Sequence, residues 1–230
     1  MKLLKILALA ILLTGSAPLS YTVEAADNSA TSTNSIRFTA DEGPTGPLDP
    51  QNPDNPAPGE PIDPEDSGNG GTGNSGSLTL DYVSNIQFGT QKIGSSTMTY
   101  HAKNKSPFVQ VSDKRGTGEG WTLKATSSGF KSQDGKLLAG AVLSFRKGQV
   151  KSQSGNVSAP PVAYDVVFNN TDAQLVMAAK EGAGRGTWID VFPGTEGNNT
   201  NVQLQVLPGS ADAFTDYSAV ITWEVSDAPN

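Results

Sequence analysis

The sequence predicts an all-β fold, a single antiparallel β-sandwich of about ten strands after a disordered N-terminal linker. From Leu78 onward, short runs rich in β-branched and aromatic residues are separated by Gly, Asn, Asp, Ser and Pro, which is typical of sandwiches and barrels. Several of these runs alternate apolar and polar residues with a period of two. The best helical candidate is Gln174–Ala183, but a strand followed by a Gly-rich turn is the favoured interpretation.

The first 25 residues resemble a signal peptide. Lys2 and Lys5 provide a positive start, an apolar run follows, and Val23 and Ala25 are the small residues of a cleavage site before Ala26. The apolar run is shorter than the roughly 20 residues that span a bilayer. We therefore expect cleavage, secretion and no membrane insertion afterwards.

Residues 26–40 are expected to form a disordered leader, and residues 41–76 an acidic Pro-rich and then Gly-rich linker. Prolines recur at every third position between residues 44 and 56, which matches the three-residue turn of a polyproline II helix. Residues 41–66 hold eight acids and no Lys or Arg. The sequence therefore predicts a stiff, solvated spacer ahead of a β domain at 77–230; a ligand for a proline-recognising groove is the alternative.

The predicted strands follow the period-two runs and end at turn residues. They are expected at 78–83, 86–88, 108–113, 120–127, 138–145, 164–168, 174–178, 187–192, 201–207 and 217–225.

Two of these strands carry the same apolar pattern. On the strand at 120–127, Trp121 and Leu123 share one face with Ala125. On the last strand, Trp223 and Val225 share one face with Tyr217, Ala219 and Ile221, whereas Val220 breaks the alternation. The preferred interpretation is that both Trp side chains belong to the core. The alternative is that they are exposed platforms for sugars.

Trp121-Thr-Leu123 together with a second Trp-x-Val near the end, followed by Ser-Asp-Ala-Pro, resembles the WxL family of Gram-positive surface proteins. The resemblance covers about residues 77–230. The second motif departs from the family pattern, since Val225 stands where the family usually has Leu.

The resemblance implies an exported, non-enzymatic cell-surface protein that attaches non-covalently to peptidoglycan and acts in a complex with other exported surface proteins. The chain ends at Asn230 without a Leu-Pro-x-Thr-Gly signal or an apolar tail, which fits non-covalent attachment. Two alternatives stay open. One is a structural partner subunit without wall affinity, and the other is a secreted β-fold carbohydrate-active enzyme.

Composition excludes several classes of function. The formal charge of −7 comes from the N-terminal part, because residues 77–230 hold 13 basic and 13 acidic residues. A neutral domain of this kind has no basic surface for nucleic acid. The chain has no Cys, which excludes disulfides, thiolate metal sites, a Cys nucleophile and a lipoprotein anchor. The absence of disulfides in a secreted protein suits a Gram-positive surface.

The sequence holds few candidates for catalysis or metal binding. His101 is the one His, so neither a multi-His metal site nor a Ser/His/Asp triad can be built. Asp165, Asp190 and Glu224 are the strand carboxylates that a glycosidase would need as a pair. Each is expected to face outward, and no spacing among them singles out a pair. No catalytic residue, metal or cofactor is therefore predicted.

Two Gly-rich runs, 116–120 and 182–186, lack the Gly-Lys-Ser/Thr ending of a phosphate loop. They are interpreted as hairpin connections. If both motif tryptophans lie in the core, recognition has to come from other surface. Trp188 and its Gly-rich neighbours are the predicted candidate for that surface.

Overall fold

A computed structural model describes residues 28–55 and 62–227. The chain divides into two compact units, residues 1–37 and residues 38–230. In the first unit, residues 28–37 are exposed and have neither helix nor strand. The predicted signal peptide, residues 1–25, lies outside the described residues.

The regular secondary structure in the described part of the second unit is almost entirely strand. Its single helical piece is a 3-10 turn, Pro64–Asp66, capped by the Asp63 side chain. In chain order the strands are β1 (Leu78–Val83), β2 (Met98–Ala102), β3 (Phe108–Asp113), β4 (Trp121–Ser127), β5 (Lys131–Ser132), β6 (Val142–Phe145), β7 (Gln149–Lys151), β8 (Val162–Ala163), β9 (Val166–Phe168), β10 (Gln174–Ala179), β11 (Gly186–Val191), β12 (Asn199–Val206), β13 (Tyr217–Ser218) and β14 (Ile221–Ser226).

These strands form three four-stranded sheets and one small pair. Sheet 1 has the order β1-β3-β11-β7, sheet 2 the order β14-β4-β10-β8, and sheet 3 the order β2-β12-β6-β9, while β13 pairs with β5. Every strand pair is antiparallel. The predicted all-β antiparallel class is confirmed.

One hydrophobic core is shared by the three large sheets. Sheet 1 contributes Val111 and Trp188, sheet 2 contributes Trp121 and Met177, and sheet 3 contributes Phe145, all of them buried. Aromatic rings meet edge to face within it, as between Phe145 and Phe192, whose centroids are 5.2 Å apart. Strands far apart in sequence therefore meet in one core, which is how an all-β domain of this size gains its stability.

Sheet 1 is apolar on both faces. On β11, Trp188 points into the shared core, whereas Ile189 and Val191 belong to a second buried cluster with Tyr82 and Phe108. The rings of Tyr82 and Phe108 stack with centroids 4.3 Å apart. A sheet whose two faces are both apolar has to be covered on both sides.

The acidic Pro-rich segment supplies the outer cover. Leu48 and Ile62 pack against the second cluster. We call residues 41–55 the strap and residues 62–77 the return segment. The expected free spacer is thus wrong for these residues, because the strap crosses the outer face of sheet 1 and contacts run across the expected boundary at residue 77. The apolar floor explains the difference, since covering it removes that surface from water.

The return segment protects the free edge of β1. The Asn69 side chain donates to the Val83 carbonyl at 2.8 Å, and the Thr72 amide donates to the Asp81 carbonyl at 2.8 Å. Side chains of Thr72 and Asn74 both donate to the Leu80 carbonyl. These bonds occupy edge acceptors that would otherwise be open to pairing with another chain.

The predicted strand at 217–225 is broken, and its two halves belong to different sheets. The break lies at Val220, whose carbonyl accepts from the Ser128 amide and whose amide donates to Ser128 Oγ. The Val220 side chain is 68% exposed. This explains why Val220 departs from the alternation. The predicted strand at 86–88 is absent, and β2 was not predicted although its Met98, Tyr100 and Ala102 alternate with Thr99 and His101.

Candidate functional site

The two motifs lie side by side on adjacent strands of sheet 2. In the antiparallel β4–β14 pair, Val225 is directly opposite Leu123, and Trp223 is directly opposite Ala125. Opposed residues point to the same face of a sheet. Trp121 and Trp223 therefore lie on one face, diagonally on either side of the Leu123–Val225 pair.

Trp121 is a core residue. Its side chain is 0% exposed, and its indole N–H donates to the Gly184 carbonyl at 3.0 Å. Gly184 has a φ of 72°, and a Cβ placed on it would lie 2.6 Å from Trp121 Nε1. The Gly-rich run at 182–186 therefore packs against the first motif. This contact explains why position 184 is a glycine, and no role in binding phosphate is needed to explain it.

Trp223 has a different environment. It is half-buried and meets Phe145 edge to face, with centroids 6.4 Å apart. Among the described residues its indole N–H has no hydrogen-bond acceptor, in contrast to Trp121. It lines a small open pocket, whose other lining residues are Ser84, Ile86, Pro107, Phe108, Phe145 and Phe192. We call this the Trp223 pocket.

The accessible aromatic surface of the Trp223 pocket is the half-buried Trp223 ring, because Phe108, Phe145 and Phe192 are each at most 3% exposed. The Trp223 indole N–H, which has no acceptor among the described residues, is a hydrogen-bond donor. Ser84 Oγ accepts from the Phe108 amide at 2.9 Å and so fixes one wall. Sequence reasoning missed the walls, because they come from four separate stretches of chain.

The Val225 departure is accommodated next to this site. Val225 is half-buried and packs against the shared core, opposite Leu123. The Val225 side chain is smaller than Leu but points to the same face of the strand. Leu123, with 0% exposure, supplies the larger aliphatic surface of the pair.

Trp188 is not the exposed residue that the sequence suggested. It is only 6% exposed, and its indole N–H donates to the Arg185 carbonyl at 2.9 Å. The position opposite it on β3 is Val111, which is fully buried. Little of the Trp188 ring is left to contact a ligand, because this face of β11 points into the shared core.

Of the three predicted strand carboxylates, Asp190 and Glu224 lie on strands, whereas Asp165 lies between β8 and β9. Glu224 is exposed and lies opposite the exposed Lys124 on β4. Asp165 is exposed and accepts a hydrogen bond from the Lys147 amide at 2.8 Å. The outward orientation expected for Asp190 is wrong. It is 0% exposed, because it follows Trp188 on the core-facing side of β11.

Asp190 is a buried acid. Neither of its carboxyl oxygens has a hydrogen-bond partner among the described residues. Burial, and to a smaller degree the charge of Asp165, raises the pKa of Asp190 to about 8. The acid is therefore protonated at neutral pH. Since it has no exposed surface, it cannot reach a glycan in this arrangement.

The described residues contain neither a metal-binding cluster nor a membrane-spanning helix. His101 Nδ1 lies 2.7 Å from Asn198 Oδ1, which ties the ring to a neighbouring loop. Within residues 28–55 and 62–227, no three acidic or His side chains are grouped so as to hold a metal ion. In the same part of the chain, no helix has the length and apolarity needed to cross a membrane.

The fold and site define an antiparallel β domain with one core-buried and one half-exposed motif tryptophan. The sequence model of the WxL domain, described as surface cell wall-binding, matches residues 25–229. The chain belongs to the WxL family. The match begins well before β1 and therefore includes the strap and the return segment. Neither the curated proteins nor the solved structures contain a match to this chain.

Proposed function

We propose that this chain is an exported protein that attaches non-covalently to the peptidoglycan of a Gram-positive cell, as a subunit of a surface complex. The observation that carries the proposal is the match to a surface cell wall-binding domain over residues 25–229. The family description already supports association with the cell wall. The proposal adds three points to that description: peptidoglycan is the ligand, the chain is exported, and it acts in a complex.

We further place wall binding at the Trp223 pocket. A sugar ring presents one apolar face, which can pack on an aromatic side chain, and hydroxyl and amide groups at its edge. Trp223 offers part of an aromatic face together with an indole N–H that has no acceptor among the described residues. Trp121 and Trp188 offer neither, because both are buried and their N–H groups are already bonded.

An enzymatic role has less support. The matched family is a binding domain, and Asp190 is buried without access to solvent. A glycosidase needs two carboxyl groups that reach the same glycosidic bond. The supported class is a binding protein, for which no chemical step is needed.

The test is retention of the folded chain on isolated, protein-free peptidoglycan sacculi. Trp223→Phe keeps an aromatic ring against Phe145 but removes the N–H donor, so it should weaken retention with little loss of stability. Phe214→Ala is the matched control, because Phe214 is a fully exposed aromatic residue on another loop. Its retention should equal that of the unmodified chain.

Three outcomes distinguish wall binding at the Trp223 pocket, wall binding at another surface and no wall binding. Retention that falls for Trp223→Phe but not for Phe214→Ala supports the Trp223 pocket. Retention that is equal for all three chains moves wall binding to another surface. A folded chain that stays in the supernatant contradicts wall binding itself and favours a partner subunit, which crosslinking on whole cells would then identify.

A further inference from the structure

The strap lies in a groove on the outer face of sheet 1. The floor of this strap groove is apolar and consists of Tyr82, Phe108, Ile189 and Val191, each at most 3% exposed. Leu48 of the strap packs on this floor, and Pro50 is buried as well. The groove therefore resembles a binding site that is already filled by part of its own chain.

The side chain of Gln110 binds the backbone of the strap. Its side-chain Nε2 donates to the Gly46 carbonyl at 2.9 Å, and its Oε1 accepts from the Leu48 amide at 2.8 Å. One side-chain amide thus bonds two backbone groups of an extended chain, as a neighbouring strand would. This contact depends on the path of the strap and not on its side chains.

Buried polar groups hold Gln110 in that orientation. Asp81 Oδ2 accepts from Gln110 Nε2 at 3.1 Å and from Ser112 Oγ at 2.6 Å, while Asp81 Oδ1 accepts from Thr79 Oγ1 at 2.6 Å. The Asp81 carboxyl oxygens accept all three of these hydrogen bonds, so they face the amino side of the Gln110 amide. The recognition group is therefore positioned by the sheet, independently of the strap.

Basic residues surround the groove and meet an acidic strap. At one end Lys114 lies 3.4 Å from Asp41 and also donates to the Gly43 carbonyl. At the other end Lys151 donates to the Pro50 carbonyl at 2.8 Å, and the Ser154 amide donates to Asp54 Oδ1 at 2.6 Å. The Lys114–Asp41 ion pair and the amide bonded to Asp54 both favour an acidic chain in this groove.

The contacts follow the period of the sequence. Leu48 packs on the floor, Gln51 accepts from Lys105 at 3.3 Å, and Asp54 accepts from the Ser154 amide. These residues are three apart, and each follows a proline, namely Pro47, Pro50 or Pro53. The chain turns at the last of them, where the Asn55 amide donates to the Asn52 carbonyl at 2.9 Å.

From these contacts we propose that the strap groove is a docking site for an acidic, proline-rich segment, and that the strap of a second copy can fill it. Each copy contains both the groove and the segment that fits it. When two copies trade straps, every backbone, apolar and charged contact described above is formed again. The trade therefore costs no contact within the groove, which is the physical basis of segment exchange between identical chains.

Concentration decides which strap is bound. A strap tethered to its own groove has an effective concentration on the order of millimolar. At low protein concentration, each groove is therefore filled by the strap of its own chain. Crowding on a surface favours the trade, which would link neighbouring copies without exposing the apolar floor.

The absence of Cys from the chain allows a clean test in the full-length protein. Asp54→Cys and Ser154→Cys place one thiol on the strap and one beside the groove, at positions that are both exposed. The double variant should form a disulfide within one chain. A mixture of the two single variants can form this disulfide only between two copies, which non-reducing electrophoresis detects as a dimer.

Asn170→Cys, an exposed residue of the β9–β10 turn, replaces Ser154→Cys as the control for random collision. We expect the Asp54→Cys and Ser154→Cys mixture to give several-fold more dimer than this control, rising with protein concentration. Adding Leu48→Ser to the strap copy should lower the yield, because the strap then loses its apolar contact with the floor.

Two results would overturn the proposal. If the double variant closes within one chain but the mixed single variants give no more dimer than the Asn170→Cys control at about millimolar protein, the strap never leaves its own groove. If the double variant does not close although circular dichroism shows it folded, the strap does not occupy the groove at all.

Discussion

Replacing Asp190 by Asn isolates the buried acid of the shared core. The side chain lies on β11 opposite Val109 on one side and Val150 on the other, and the backbone of Gly148 approaches its carboxyl group. No hydrogen bond from the described residues compensates the carboxylate. Asn keeps the shape of the side chain and removes the ionisation, so the comparison reports the cost of the charge.

The magnitude follows from the pKa. Burial raises the pKa of Asp190 from its ordinary value of 3.8 to about 8. Between these values the folded chain holds a proton that the unfolded chain has released. Stability from this group is therefore fully present below pH 4 and is lost as the pH rises to 8. At about 1.4 kcal/mol per pKa unit, the loss has an upper value on the order of 5 kcal/mol.

Urea denaturation from pH 4 to pH 8 measures this loss. The free energy of unfolding of the unmodified chain should fall relative to that of Asp190→Asn across the interval, and the difference should level off above pH 8. Asp165→Asn is the matched control. It removes the second cause of the raised pKa, so the interval should end at a lower pH. Parallel curves for the unmodified chain and Asp190→Asn would refute the reasoning.

The environments of the motifs lead to two further predictions. Trp121→Ala should lower the free energy of unfolding by about 3–5 kcal/mol, because a fully buried ring is truncated. Trp223→Ala should lower it clearly less. Equal shifts in the thermal midpoint would contradict the different burial of the two rings. Gly184→Ala should destabilise the fold by about 1–3 kcal/mol through its positive φ and its contact with the Trp121 indole. Gly182→Ala is its control, because it shares the positive φ but has open space around it.

Burial of both faces of sheet 1 changes how the N-terminal third of the chain is understood. The floor of the strap groove is completed by Leu48 and Ile62, which lie before the first strand. Removing residues before 77 would expose Tyr82, Phe108, Ile189 and Val191 together and would open the edge of β1. Such a truncation should associate and precipitate, because large apolar patches and free strand edges promote both.

The pattern of short β-rich runs bounded by turn residues was sufficient to locate several strands. It located β1, β3, β4, β10 and β11 to within about a residue, and it placed Trp121 and Leu123 on one face. It was misleading where a strand lies within one apolar run but changes sheet, as at Val220. It also placed Asp190 outward, because an acid on a strand is usually solvated, although alternation with Trp188 pointed inward.

The sequence by itself determined the all-β class, the faces of the motif strands, the absence of disulfides and the period of the proline segment. These follow from local alternation and composition, which are properties of neighbouring residues. Only the tertiary structure decided that Trp223 stays half-exposed while Trp121 is buried, that Asp190 is enclosed, and that the strap lies in a groove. Each of these depends on strands and loops distant in sequence, and burial is set by what those partners cover.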